Sequence, residues 1–92
     1  MRNEKELLLK NELRLLALKT RYDLGITQKE MARHLSMAES SYADIESGEY
    51  MCGTLTTVLL LSMQSDPSIF LDNIKIKFSE QYERAMQTIW II

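Results

Sequence analysis

Disulfide bridges, zinc clusters and glycine-rich loops have almost no material to form from in this chain. Among its 92 residues there is one cysteine, one proline, three glycines and one histidine. The lone cysteine, Cys52, cannot form an internal disulfide, which points to a reducing, cytoplasmic setting. One cysteine and one histidine are too few ligands for a structural zinc site, so no metal is expected. No glycine-rich phosphate loop and no paired-carboxylate pattern in a strand context is present, so neither an enzyme nor a cofactor is expected. Cys52 with His34 as nucleophile and base has no motif behind it. His34 is expected on the outer side of its helix, solvated or near a phosphate. Apolar runs such as residues 58–61 are far shorter than the roughly 20 residues of a membrane-spanning helix. The opening MRNEKELLLKNE is charged throughout and lacks the apolar core of a signal peptide, so no leader is expected. Repeats and low-complexity tracts are absent, and nothing points to a small-molecule effector.

What is present is leucine and helix-forming polar residues. Hydrophobic residues make up 46% of the chain, enough to fold, and 92 residues make one domain with a modest core. Scarce Gly and Pro favour an all-α domain. Residues 3–23 read as a long first helix, with Asn3 as a cap and Glu4 and Glu6 at its positive end. Leu9, Leu13, Leu16, Thr20 and Leu24 form one apolar stripe along it. Leu8, Leu15, Leu18 and Tyr22 form another. A helix with one buried face needs one stripe, so the pair implies either deep burial or contact with a second subunit. Gly25 ends this helix. Thr54 is expected to cap a fourth helix over 55–64, whose run Val58-Leu59-Leu60-Leu61 leaves no polar face and demands cover from the domain or a partner. After Ser65-Asp66-Pro67 a fifth helix is expected to bury Ile69, Phe70, Leu71 and Ile74, with Pro67 in its first turn. A separate final helix is expected over 78–90, carrying Phe78, Tyr82, Ala85, Met86 and Ile89 on one face. The six methionines suit core filling.

The organising stretch is 27–48. Thr27 followed three residues later by Glu30 is a capping-box pattern. Met31, Ala32 and Leu35 then share one helical face. After a break at Ser36-Met37-Ala38, a second run places Met37, Tyr42 and Ile45 inward and stops at Gly48, a common residue just past a helix end. Two short helices joined by a tight turn are either a helix-turn-helix or two ordinary helices of a bundle.

Charge is unevenly spread. The formal net charge is −2. Residues 1–34 hold eight Lys and Arg against five Asp and Glu, whereas residues 35–74 hold no Lys or Arg and six acids. Three basic residues and two acids fall in 75–92. The front is basic, and the middle, including the second helix of the organising stretch, is acidic.

Arg21, Gly25-Ile26-Thr27-Gln28, Glu30-Met31-Ala32, Leu35 and Ile45-Glu46-Ser47-Gly48 together resemble the Cro/C1-type, or xenobiotic-response-element, family of phage repressors and bacterial regulators. Residues 55–63 and 69–74 look like that family's fourth and fifth helices. The resemblance implies that Arg21 of helix one pairs with Glu46, just before the terminal glycine of helix three. It implies that Gln28 hydrogen-bonds a DNA phosphate, and that helix three, expected over about 38–47, lies in the major groove. Carried over by position, Ala38, Glu39, Ser40, Ala43 and Asp44 face bases and Ser41 touches the backbone. Lys29 and Arg33 on helix two, with basic residues of helix one, are available for a few phosphate contacts. The chain departs from the family pattern in two places. Base readers usually offer Arg, Lys, Gln or Asn, whereas this helix offers Glu39 and Asp44. The turn glycine is replaced by Ser36, a short polar residue that tolerates strained geometry.

The expectation is a single all-α domain over 1–92: a five-helix lambda-repressor-like DNA-binding domain with its core at about 13–74 and an additional C-terminal helix. The implied function is sequence-specific DNA binding by a homodimer in prokaryotic or phage transcriptional control. Helix one, residues 58–61 and the terminal Ile89-Trp90-Ile91-Ile92 are the expected dimer surfaces. The alternative is a degenerate helix-turn-helix scaffold whose acidic face binds a protein, as an antirepressor or antitoxin-like module would.

Overall fold

The computed structural model describes the backbone of residues 4–91 and the side chains of residues 4–80. Five helices follow in order: α1 Glu4–Leu24, α2 Gln28–His34, α3 Glu39–Ser47, α4 Thr54–Ser62 and α5 Pro67–Ile91. The described residues contain no strand. The architecture is all-α.

α1 buries Leu13, Leu16, Ala17 and Thr20. These four lie on one helical face at three- and four-residue spacing, the geometry that lets neighbouring turns meet the same core. Of the second stripe, Leu8 and Leu18 are half-buried while Leu15 and Tyr22 are exposed. Leu24, expected on the buried stripe, is also exposed, because the chain leaves the helix there and turns through Gly25. Asn3 lies outside the described residues.

α2 opens with both halves of the capping box. Thr27 Oγ1 accepts from the Glu30 amide at 3.1 Å, and the Glu30 carboxylate accepts the Thr27 amide at 3.4 Å. Met31, Ala32 and Leu35 turn into the core. The turn to α3 passes through Ser36 at φ +56°, a left-handed conformation, and the Met37 amide donates back to the Ala32 carbonyl at 3.0 Å. This turn aims α3 across α2. Ala38 is the N-cap of α3 and offers no side-chain cap. Tyr42 and Ile45 face inward, so α3 packs on both α1 and α2. Gly48 at φ +84° ends it, with the Glu49 amide closing onto the Asp44 carbonyl at 2.9 Å. A Cβ at Gly48 would meet only ordinary contact with Arg14 Cδ at 3.5 Å, so glycine is required there by its backbone angle rather than by space.

α4 starts one residue earlier than expected. Thr54 is its first residue and Gly53 is the cap, whose carbonyl takes both the amide and the hydroxyl of Thr57. Leu60 is fully buried and Thr56 is buried. Leu55 and Val58 are 66% and 57% exposed, so this chain alone does not surround the helix. α5 corrects the expected division into a fifth helix and an appended sixth. The segment joining them, Ile74-Lys75-Ile76-Lys77, holds no glycine, proline or capping residue, and the helix runs through it without a break. Asp66 closes the start of α5 by accepting from the Ser68 amide at 3.1 Å. Of the four residues expected to be buried there, Phe70 is buried and Ile74 half-buried, but Ile69 and Leu71 are exposed. Only one side of α5 meets α1, tied by the ion pair of Lys77 with Glu12. Tyr82, Ala85, Met86 and the terminal Ile89-Trp90-Ile91-Ile92 side chains lie outside the described residues.

The core is one cluster of Leu13, Leu16, Ala17, Met31, Ala32, Leu35, Tyr42, Ile45, Cys52, Leu60 and Phe70. Thr20 and Glu46, buried beside it, have hydrogen-bond partners. Thr20 donates to the Leu16 carbonyl at 2.7 Å and accepts from Gln64 at 2.8 Å, so α1 and the end of α4 share a hydrogen bond where water is excluded.

Ser36 is the one described non-glycine residue at positive φ. Ser36→Gly removes the Cβ clash of the left-handed conformation, partly offset by greater freedom of the unfolded chain. Urea denaturation should show a gain of up to about 1 kcal/mol, and Ser36→Val should show a loss. A Gly variant less stable than the parent would contradict the strained-turn account.

Candidate nucleic-acid interface

The face formed by α2 and α3 is built from the Glu46 carboxylate outward. Glu46 lies at the C-terminal end of α3, on the same side as Tyr42 and Ile45, and its side chain is 6% exposed. A buried carboxylate needs donors to replace water. Arg21 of α1 supplies two, Nε at 2.6 Å to Oε2 and Nη2 at 3.0 Å to Oε1. This is a bidentate pair, with the Arg21 side chain 15% exposed. Gln28 of α2 donates a third bond, Nε2 to Oε1 at 3.0 Å. Arg21 Nη1 also reaches the Ile26 carbonyl at 3.2 Å, holding the link between α1 and α2.

Burial by itself would push the Glu46 carboxyl up. The hydrogen bonds from Arg21, Tyr42 and Gln28, with the Arg21 charge, outweigh it and hold the group below the usual carboxylate range. The hydrogen bond to Glu46 raises Arg21 above its ordinary value against the opposing effect of burial. Tyr42 is raised by burial first and by its bond to Glu46 second. All three groups are therefore locked in their neutral-pH forms: carboxylate, guanidinium and phenol. The Tyr42 hydroxyl also lies 3.4 Å from the Ala17 carbonyl of α1.

The opposite side of α3 faces solvent. Ala38, Glu39, Ser40 and Ser41 are exposed, while Ala43 and Asp44 are half-buried. On α2, Lys29, Arg33 and His34 are exposed. Gln28 is half-buried with its amide turned onto Glu46, a partner that the sequence did not reveal. The signal that could have found it is position: Gln28 opens α2 directly after the segment whose Ile26 carbonyl Arg21 holds. Of the eight residues expected to meet DNA, Lys29, Ala38, Glu39, Ser40 and Ser41 are exposed, Ala43 and Asp44 are half-buried, and Gln28 is engaged by Glu46.

Other chemistry finds little footing. Cys52 is buried, and burial raises its thiol, the wrong direction for a nucleophile. His34 is exposed. Among the described residues no group of three His, Cys, Asp or Glu is placed to hold a metal. Among those residues no helix is long and apolar enough to cross a membrane. Comparison with protein-family models, with curated proteins and with solved structures found no match.

The buried pair has two testable consequences. Removing one partner strands the other charge, so Arg21→Met alone should cost about 3–5 kcal/mol, whereas Arg21→Met with Glu46→Met should recover most of the loss. Denaturation curves that show the double variant no better than the single would contradict the assignment of the loss to an uncompensated charge. The depressed Glu46 carboxyl also sets a sign for pH. Its contribution is present above the unfolded value near 4.5 and is lost as pH falls through the lower folded value. The parent should lose this stability below about pH 4.5, while the double variant lacks that component.

Proposed function

We propose that this chain is a cytoplasmic, lambda-repressor-like helix-turn-helix protein of Cro/C1 type, which binds duplex DNA as a homodimer in transcriptional control. The observation that carries the reading is the two-sidedness of α3. Tyr42, Ile45 and Glu46 face the core, and Ala38, Glu39, Ser40 and Ser41 stand in solvent on the other side. A short helix held from beneath and bare above can enter a major groove. Gln28 contacts a phosphate, Lys29 and Arg33 neutralise phosphates, and Ala43 and Asp44 complete the base-facing row. Two copies related by a two-fold axis place their α3 helices about 34 Å apart. The exposed Leu55 and Val58 of α4 support dimerisation, because apolar surface clustered on one helix face favours a partner.

The acids on α3 give this reading a specific form. Glu39 and Asp44 accept from cytosine N4, and Ala38 and Ala43 offer methyl contacts to thymine. Affinity then comes mainly from α2. The same acids favour a second reading, in which α3 binds a protein partner and the DNA-binding role is lost, because no Lys or Arg lies between His34 and Lys75 to offset them.

Salt decides between the two. With Lys29 and Arg33 from each of two subunits, log K against log salt should have a slope near about −3.6, and Lys29→Ala should flatten it by about 0.9 per subunit. The probe is a duplex selected by the chain from a random pool, read by fluorescence anisotropy. Glu39→Gln with Asp44→Gln should shift the selected bases from cytosine toward adenine. Failure to bind any duplex at low salt, with the Gln variant gaining only sequence-independent affinity, would replace the DNA reading by the protein-binding one.

A further inference from the structure

We infer that Glu46 is a positioning residue for DNA binding: by accepting one N–H of Gln28 it aims the other at a backbone phosphate. This rests on the DNA-binding reading above and adds to it. A carboxylate only accepts hydrogen bonds, so the Gln28 amide must turn Nε2, and not Oε1, toward Glu46, as it does at 3.0 Å. That nitrogen carries two hydrogens. One is used on Glu46, and the other remains for a ligand on the open side, where Lys29 is exposed. Glu46 cannot drift, because Arg21 grips both of its oxygens. The orientation of Gln28 is therefore inherited from the packing of α1 against α3. A glutamine without such a partner would lose side-chain freedom on reaching a phosphate, and here that ordering is already complete. Arg21 has a second effect. A bare carboxylate behind the contact would repel the phosphate, and the guanidinium cancels that charge. The Arg21–Glu46 pair that joins α1 to α3 thus also presents a neutral hydrogen-bond donor to DNA.

Three variants of the full chain test this: Gln28→Ala, the pair replacement Arg21→Met with Glu46→Met, and the triple. Each is measured against a duplex selected by the parent, with melting curves establishing the folded state. Gln28→Ala should weaken binding at least about tenfold on every sequence, as expected for a bond to a charged group. Its salt slope should not change, because a neutral side chain releases no counterion. The folded pair replacement should show a similar loss, and adding Gln28→Ala to it should cost nothing more. Full affinity in the folded pair replacement would overturn the inference, as would an equal cost of Gln28→Ala in both backgrounds. Should the pair replacement not fold, the side-chain amide of Gln28 in the 15N-labelled parent decides. One of its two proton resonances should move on adding duplex while the other stays. Movement of neither would overturn the inference. A parent that binds no duplex overturns the DNA-binding reading and this inference with it, whereas binding with no coupling between Gln28 and Glu46 overturns this inference alone.

Discussion

A buried carboxylate cannot be left without donors, and in this protein that constraint determines how three helices meet. Glu46 on α3 draws Arg21 from α1 and Gln28 from α2. Of its roughly four lone-pair sites, Arg21 fills two and Gln28 a third. Any slide of α3 along α1 breaks several charged hydrogen bonds at once in a region from which water is excluded. The net contribution of such a pair to stability can be small, since desolvation opposes attraction. Its contribution to specificity of packing is larger, because few other arrangements of these helices satisfy the charge.

That constraint separates the two sides of α3. Apolar packing by Tyr42 and Ile45 draws the helix inward, and the Glu46 network fixes its rotation. With rotation fixed, residues 38–41 are committed to solvent. The strained turn at Ser36 and the glycine end at Gly48 bound the helix so that this exposed row is short. The row carries Glu39 and Asp44 and no Lys or Arg. Positive charge lies beside it on α2, in Lys29 and Arg33, rather than on it. On the proposed DNA-binding reading, non-specific attraction is weak and discrimination falls to the carboxylates and small side chains.

Much of this was legible in the sequence where local chemistry and long-range packing agree. The Thr27 and Glu30 capping box, the inward set of Met31, Ala32 and Leu35, and the stop at Gly48 follow from short-range rules, and the helices over 4–24 and 39–47 lie within a residue or so of expectation. Misreadings arose where apolar periodicity was taken as burial. Leu24, Ile69 and Leu71 are apolar yet exposed: the chain leaves α1 at Leu24, and the small core of a chain this size does not reach Ile69 and Leu71. The expected gap before a sixth helix was a guess about a segment with no breaker, and α5 runs through it. The link from Gln28 to Glu46 had only a positional hint in the sequence, since the two are 18 positions apart and meet only after α1, α2 and α3 have packed.

The central claim is that the outward row of α3 and the neighbouring edge of α2 form a surface for duplex DNA. Backbone amide shifts of the labelled chain, followed as a selected duplex is added, test it most directly. The account predicts that the amides of residues 28, 29 and 38–44 move together while those of α4 stay at rest, apart from changes due to dimer formation. Shifts confined to α4 and α5, with the α3 row unmoved at saturation, would contradict it.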